Sequence, residues 1–400
     1  MTLERMQAQL GLETIPGYFH ELYIGIADSW RERKEIILSE SFIEKTLSES
    51  FCLEPFRERI VEAATELKKN DALCLLVCLL EARISQKSSS VVTTGTSYIP
   101  PKGEGLAYDF LHLFSAIPTM PNSIAHLRSR GVPENVIADT MREYDYCVDF
   151  CRQRECRPQF DRGRLDWICR IIHNEMIRIG RLKYDLPGKY IKGVRVFRNE
   201  VGKTVILANH LQIHHSGRVL GSAGHKDIAG SFFAQITESE DAVTGHKVMD
   251  GIVESKLTTL SKKEWTLCLS EEDCVLRVHI PPDGSFDPKT VTASYALARE
   301  IFSRCYPDYP YKAFFCSSWL MSSDLREILR TSSNILAFQK SYTRIPVQST
   351  GVTVFPFVFQ MPAAIPKNLN LLPETTSLQR KVKRLYINGG HINECAGFFF

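Results

Sequence analysis

The residues best suited to chemistry sit in one short loop, Pro281-Pro282-Asp283-Gly284-Ser285-Phe286-Asp287, and at the strand end before it. Asp283-Gly284 is turn chemistry, Asp287 stands where a helix N-cap belongs, and Pro288 suits a first helical position. The first N–H groups of a helix have no intrahelical partner and carry partial positive charge. Gly284 beside them lets a phosphate approach, so the joint could hold an anion. From the joint alone the plainer reading, a well-capped strand-to-helix turn, comes first, and Asp283 and Asp287 would both repel a phosphate. Other reactive side chains fit no pattern. His210, His214 and His215 cluster without a carboxylate or further ligand at suitable spacing, and no metal site is assigned. His173 lies in HNEMI, which lacks the second histidine of the zinc-protease pattern. The 12 cysteines contain no CxxC. Cys74 and Cys78, like Cys147 and Cys151, share a helix face, and Cys156 completes no zinc pattern. In a reducing compartment they read as buried thiols.

The elements around the loop follow from residue period. Val275, Leu276, Val278 and Ile280 form a buried strand, stopped by Pro281 and Pro282. Val291, Tyr295, Ala298 and Phe302 recur at helical spacing, with Phe286 and Val291 placed as a hydrophobic staple. Tyr311 to Trp319 is a second apolar strand. Strand, helix, strand is the crossover unit of a parallel or mixed sheet. Downstream, Ser323–Leu329 is expected as a short helix, Ile335–Tyr342 as a strand, Thr353–Gln360 as an edge strand, Thr376–Tyr386 as a basic amphipathic helix and Ala396–Phe400 as a last strand.

Upstream, residues 1–184 read as helix. The segments include Glu32–Leu47, Pro55–Ile84 with a break at Asp71, a helix begun at Pro133, and Arg164–Leu182 with Leu165, Ile168, Ile172, Met176, Ile179 and Leu182 in step. Ser85–Ser97 is a polar connection. At Asp185-Leu186-Pro187-Gly188 the pattern shifts to short β-rich runs: Val194–Arg198 and Thr204–His210 joined through Asn199–Gly202, then Val219-Leu220, Phe232–Ile236 and Gly245–Ile252. Leu260–Trp265 reads as a capped short helix. The domain boundary is placed here: 1–184 helical, 185–400 mixed α/β.

The 400 residues, 44% hydrophobic and 24% charged, are ordinary globular material. A formal net charge of +3 argues against a dedicated nucleic-acid surface. No apolar run reaches the length of a membrane helix. The N-terminus lacks a signal-peptide pattern, so a cytoplasmic protein is expected.

The blocks VRVFRN (194–199), LSKKEW (260–265), VLRVHIPPDG (275–284), FFCSSWL (314–320), SNILAF (333–338) and TSLQR (376–380) resemble bacterial acyltransferase-domain proteins. These join a helical N-acyltransferase N-terminal domain to a GNAT-like C-terminal domain. IRIGRLKYD (177–185) resembles the end of their helical region. The resemblance runs from about Gly105 onward and implies an α+β chain whose second domain is a mixed sheet with a splayed central strand. Acyl-CoA or acetyl-CoA would be the co-substrate and a small amine the acceptor. The pantetheine would pair with the strand at Val278 and Ile280, and the pyrophosphate would lie on Gly284, Ser285 and Phe286. The usual R/Q-x-x-G-x-G/A pattern is missing from this loop. It occurs at Arg218–Ala223, where no helical period follows it. On the enzyme reading His279 is the base, Cys316 and Ser317 are candidates for acid, nucleophile or substrate contact, and Trp319 and Asn334 are candidates to line a substrate pocket. The altered loop keeps a second reading open: a non-catalytic GNAT-like ligand-binding or interaction protein.

Overall fold

A computed structural model describes residues 1–86, 100–155, 157–186 and 191–400. Most of the predicted polar connection, Pro187-Gly188 and Cys156 lie outside them. The chain divides into two compact units, Met1–Gly180 with Leu297–Tyr306, and Arg181–Ala296 with Pro307–Phe400.

The first unit is helical. Its centre is the helix Asp71–Ile84, in which every residue from Ala72 to Leu80 is buried. Such a helix cannot be amphipathic, and each buried leucine contributes about 1.5–3 kcal/mol. The break foreseen at Asp71 is made by Asn70, whose side chain accepts the Ala72 and Leu73 amides. The helix Arg162–Ile172 is capped by the Asp161 carboxylate on the Arg164 amide. It stops at His173, earlier than its period suggested, and Asn174 turns the chain at φ 58°. Strand β1 (Met176–Ile179) follows. Met176, Ile179 and Leu182 kept helical step by coincidence while belonging to strands.

The second unit begins with β2 (Leu182–Asp185), then β3 (Val194–Asn199), β4 (Thr204–Ala208), β5 (Leu211–Ile213), β6 (Phe232–Ala234), β7 (Thr237–Glu238), β8 (Ala242–Met249), β9 (Ile252–Ser261), β10 (Trp265–Leu269), β11 (Val275–His279), β12 (Ala313–Ser318), β13 (Thr343–Ile345) and β14 (Cys395–Phe399). One sheet has the order β2–β11–β12–β14–β13, and the other β10–β3–β4–β8–β7 with β9 on β8. The expected crossover is present: β11 and β12 are parallel, joined by the helix Pro288–Cys305. β2 and β14 run antiparallel to them.

Successive strand residues face opposite sides of a sheet. Val275, Ala313, Phe315, Ala396 and Phe398 share one face and pack with Val194, Val196, Ile206 and Val248 of the second sheet. The opposite face packs on the crossover helix. Phe314 meets Tyr295 at 5.4 Å between ring centroids, and Tyr184 bonds the Ser294 hydroxyl at 2.8 Å.

Three local expectations change. Leu260–Trp265 is the end of β9, a short turn and the start of β10, Ile335–Tyr342 lies mainly in the helix Asn334–Lys340, and Thr353–Gln360 holds the helix Val354–Val358. Phe355, Val358 and Phe338 are buried in these helices, so packing overrode their β propensity. The helix Ser377–Ile387 forms as expected, with a full capping box between Thr376 and Gln379.

Candidate functional site

β11 and β12 pair at Val275↔Ala313, Leu276↔Phe314 and Arg277↔Phe315, and there the pairing ends. Each strand continues with its other neighbour, β11 as far as His279↔Lys183 and β12 as far as Ser318↔Cys395. Two parallel strands held on their outer sides and unpaired on their inner ones part from each other. Facing backbone edges result, along Val278–Ile280 on one side and Cys316–Ser318 on the other. An extended amide-bearing chain can bond to such an edge.

The side chains at this opening divide by face. Arg277, opposite Asp185 and Phe315, lies on the face toward the second sheet, and His279 opposite Lys183 and Ser317 opposite Ala396 follow it. His279 Nε2 meets Asp185 Oδ2 at 2.8 Å. Asp185 is 2% exposed. Its position is secured from behind: the preceding Tyr184 is bonded to Ser294, and the Leu182 amide donates to the same hydroxyl at 3.3 Å. A carboxylate on one imidazole nitrogen fixes the ring's orientation and makes the other nitrogen the one that exchanges protons. His279 and Ser317 therefore share a face, and His279 has an orienting partner.

Cys316 lies one residue away on the opposite face, buried with Tyr295 and Tyr342 nearby. Burial pushes its thiol up to about 12, so it stays protonated near neutral pH and is a poor nucleophile. Trp319 is buried among Leu325, Leu336, Val354 and Phe355 in a separate apolar cluster. Asn334 is an exposed first residue of its helix. Neither is brought to the face that carries His279. On that face, β14 runs back through Phe398 and Ala396 to Glu394, whose carboxyl burial raises while Arg277 pulls the other way.

The loop after β11 lies open. Gly284 has φ 71°, a left-handed conformation that favours glycine, and a Cβ there would meet nothing within 4 Å. Gly284 and Ser285 are exposed and Phe286 is partly buried. Asp287 Oδ1 accepts the Lys289 amide at 2.8 Å, so the predicted cap forms and uses one first-turn donor. Arg181 binds the loop from the other side, donating to Ser285 O at 2.8 Å and Pro281 O at 3.0 Å.

Sequence reasoning missed Asp185, Lys183 and Arg181, because the helical reading ran through Leu182 and left Asp185 as a boundary residue. The available signal was Met176-Ile177-Arg178-Ile179, then Gly180-Arg181, then Leu182-Lys183-Tyr184: two short β-rich runs about a glycine turn. The histidine cluster forms differently from its spacing. His214 and His215 rings lie 3.9 Å apart, and His214 and His225 both contact the Ser216 hydroxyl. Among the described residues no group of three or more metal-ligating side chains is placed to hold a metal ion.

The chain is similar in fold to solved acyltransferase structures. One, in complex with decanoyl-CoA and teicoplanin, is 18% identical over 100% of this chain and 99% of that one, with a TM-score of 0.64. Another, in complex with decanoyl-CoA, is 19% identical with the same coverage and a TM-score of 0.63. No curated protein matches the chain. Residues 176–399 match the family described as the GNAT-like C-terminal domain. These residues hold both sheets, the parted strands and the loop, and the chain belongs to that family.

Proposed function

We propose that the protein is an N-acyltransferase that moves an acyl group from acyl-CoA to an amine of a small acceptor. The observation that carries this reading is the parting of β11 from β12 beyond Arg277↔Phe315, with the His279–Asp185 pair at its edge. The solved acyltransferases of similar fold bind decanoyl-CoA, which supports a CoA thioester as the donor.

In this scheme the pantetheine lies along Val278 and Ile280, and the diphosphate lies on the amides of Gly284, Ser285 and Phe286. The acceptor amine comes to the face shared by His279 and Ser317. Its nitrogen attacks the thioester carbonyl as His279, held by Asp185, takes the amine proton. The C–S bond then breaks, and CoA leaves as a thiolate that takes up the proton His279 removed from the amine. Backbone donors on the parted edges stabilise the developing oxyanion. Ser317 supplies a hydroxyl contact to the acceptor. Cys316, protonated and on the other face, has no place in this scheme, and the packing of Trp319 and the exposure of Asn334 leave them outside it.

The alternative is a ligand-binding protein without catalysis. The Asp287 carboxylate on the Lys289 amide favours it, since it places a negative charge where a phosphate would come. Release of free CoA thiol in the presence of an amine panel separates the two. The proposal expects acyl-CoA-dependent thiol release that His279→Gln lowers about 100- to 10,000-fold, the usual worth of a positioned base. Acyl-CoA binding with no turnover on any amine would leave the binding protein standing.

A further inference from the structure

The loop Pro281–Asp287 lacks the glycine pattern and carries Asp283 and Asp287, yet the reading above asks it to hold a diphosphate. We propose that Arg181 is the positioning residue that shapes this loop for the diphosphate of acyl-CoA, an inference that rests on that reading.

Arg181 precedes β2 and is about a hundred positions from the loop in sequence. Its Nε donates to Ser285 O at 2.8 Å and its Nη2 to Pro281 O at 3.0 Å. Its guanidinium carbon lies 5.5 Å from the Phe286 ring centroid. One planar fork thus ties the two ends of the loop and stacks near its aromatic residue, which a lysine ammonium cannot do.

The consequence follows from peptide geometry. In a trans peptide the C=O and the next N–H point to opposite sides. With the Ser285 carbonyl drawn to Arg181, the Phe286 N–H is turned away from the guanidinium, toward the other side of the loop. The Pro281 carbonyl is followed by Pro282, which has no N–H, so drawing it inward removes an acceptor and costs no donor. Carbonyl oxygens would repel a diphosphate and amides attract it. Arg181 gathers two of the former, those of Pro281 and Ser285, and with the second turns the Phe286 amide outward, while Gly284 at φ 71° lets the chain reverse between the two anchored carbonyls. The guanidinium also brings positive charge to a loop bearing two aspartates.

The test compares two donors with the same acyl group, an acyl-CoA and the S-acyl-pantetheine that lacks the diphosphate and nucleotide. For Arg181→Ala we expect KM for acyl-CoA to rise at least tenfold with kcat within twofold, and KM for acyl-pantetheine to stay unchanged. Arg181→Lys, which keeps charge and bulk, should show the same one-sided rise and serves if the alanine variant folds poorly. Equal KM increases on both donors, or a fall in kcat on both, would mean that Arg181 only supports the fold and would overturn the assignment. So would wild-type KM values that do not differ between the donors, because no diphosphate is then recognised. Turnover of neither donor by wild-type protein would instead remove the acyltransferase reading itself and the inference with it.

Discussion

At the scale of single residues, the chemistry turns on which way side chains face in one pair of strands. His279 and Cys316 are near in the sheet, yet strand alternation puts them on opposite sides, and that was not readable before the register was known. The titratable candidate was legible because His279 ends an apolar run before a turn. Its partner was not, because a helix in step with Met176 and Leu182 hid β2 and Asp185 with it. His279→Gln and Asp185→Asn should each lower kcat by about a hundredfold or more, and the double variant should be little worse than His279→Gln, because the pair works as one unit. Single-turnover rates check this; independent, multiplying losses would show that Asp185 does not act through His279. Cys316→Ala should keep kcat within about threefold, since burial pushes its thiol up to about 12 and makes it a poor nucleophile at neutral pH, and its side chain lies on the face opposite His279. Loss of turnover in that variant, with its melting point kept, would return the cysteine to the mechanism.

At the scale of elements, local chemistry foretold ends better than interiors. Asp287 and Thr376 were read as helix starts and both cap through their side chains, while the break read at Asp71 is capped one residue earlier, by Asn70. Val354–Val358 and Asn334–Lys340 were misread as strands, because apolar aromatic runs of that length suit either state and tertiary packing decides. Packing between elements can also create a stake in one ion pair. The Arg344 guanidinium, in strand β13, is 2% exposed and bonds Asp250 and Gln339, with Nε to Asp250 Oδ1 at 2.7 Å. Asp250 sits at the tip of the β8–β9 hairpin with φ 55°. Asp250→Ala should cost about 2–3 kcal/mol in urea unfolding, less than a fully buried pair because the carboxylate is half in water. A change near zero would show that Gln339 alone satisfies the arginine. In the helical unit, burial raises the Asp145 carboxyl to about 6 from 3.8, although it accepts the Leu53 amide at 2.7 Å. A carboxyl with a raised folded value contributes stability below about pH 4 that is lost as pH rises through about 6. Asp145→Asn should remove that slope, so its melting temperature relative to wild type should climb across this window; an unchanged difference would place Asp145 in water.

At the scale of the whole molecule, the central crossover was readable from one stretch, Val275 to Leu320, because strand, turn and helix signals agree there, and the α+β class from the helical period upstream of it together with the family resemblance. The second sheet was legible in its first hairpin, β3 and β4, and in part of β8 through Gly245–Ile252, while its other strands lack a clean alternation. Membership of the GNAT-like C-terminal domain family fixes the architecture and leaves the chemistry to the site. The central claim is that the opening beyond Arg277↔Phe315 and the loop at Gly284 together seat an acyl-CoA. Its most direct test is the melting shift produced by acyl-CoA in wild type and in Gly284→Asp. Nothing lies within 4 Å of a Cβ at that position, and aspartate tolerates a left-handed backbone better than most residues, so the added carboxylate changes charge more than fold. The account predicts that wild type gains several degrees at ligand concentrations near a hundred times Kd, about 2.7 kcal/mol of linkage. Gly284→Asp should melt within a few degrees of wild type without ligand and lose the shift on adding it. An equal shift in both proteins would place the cofactor elsewhere and contradict the account.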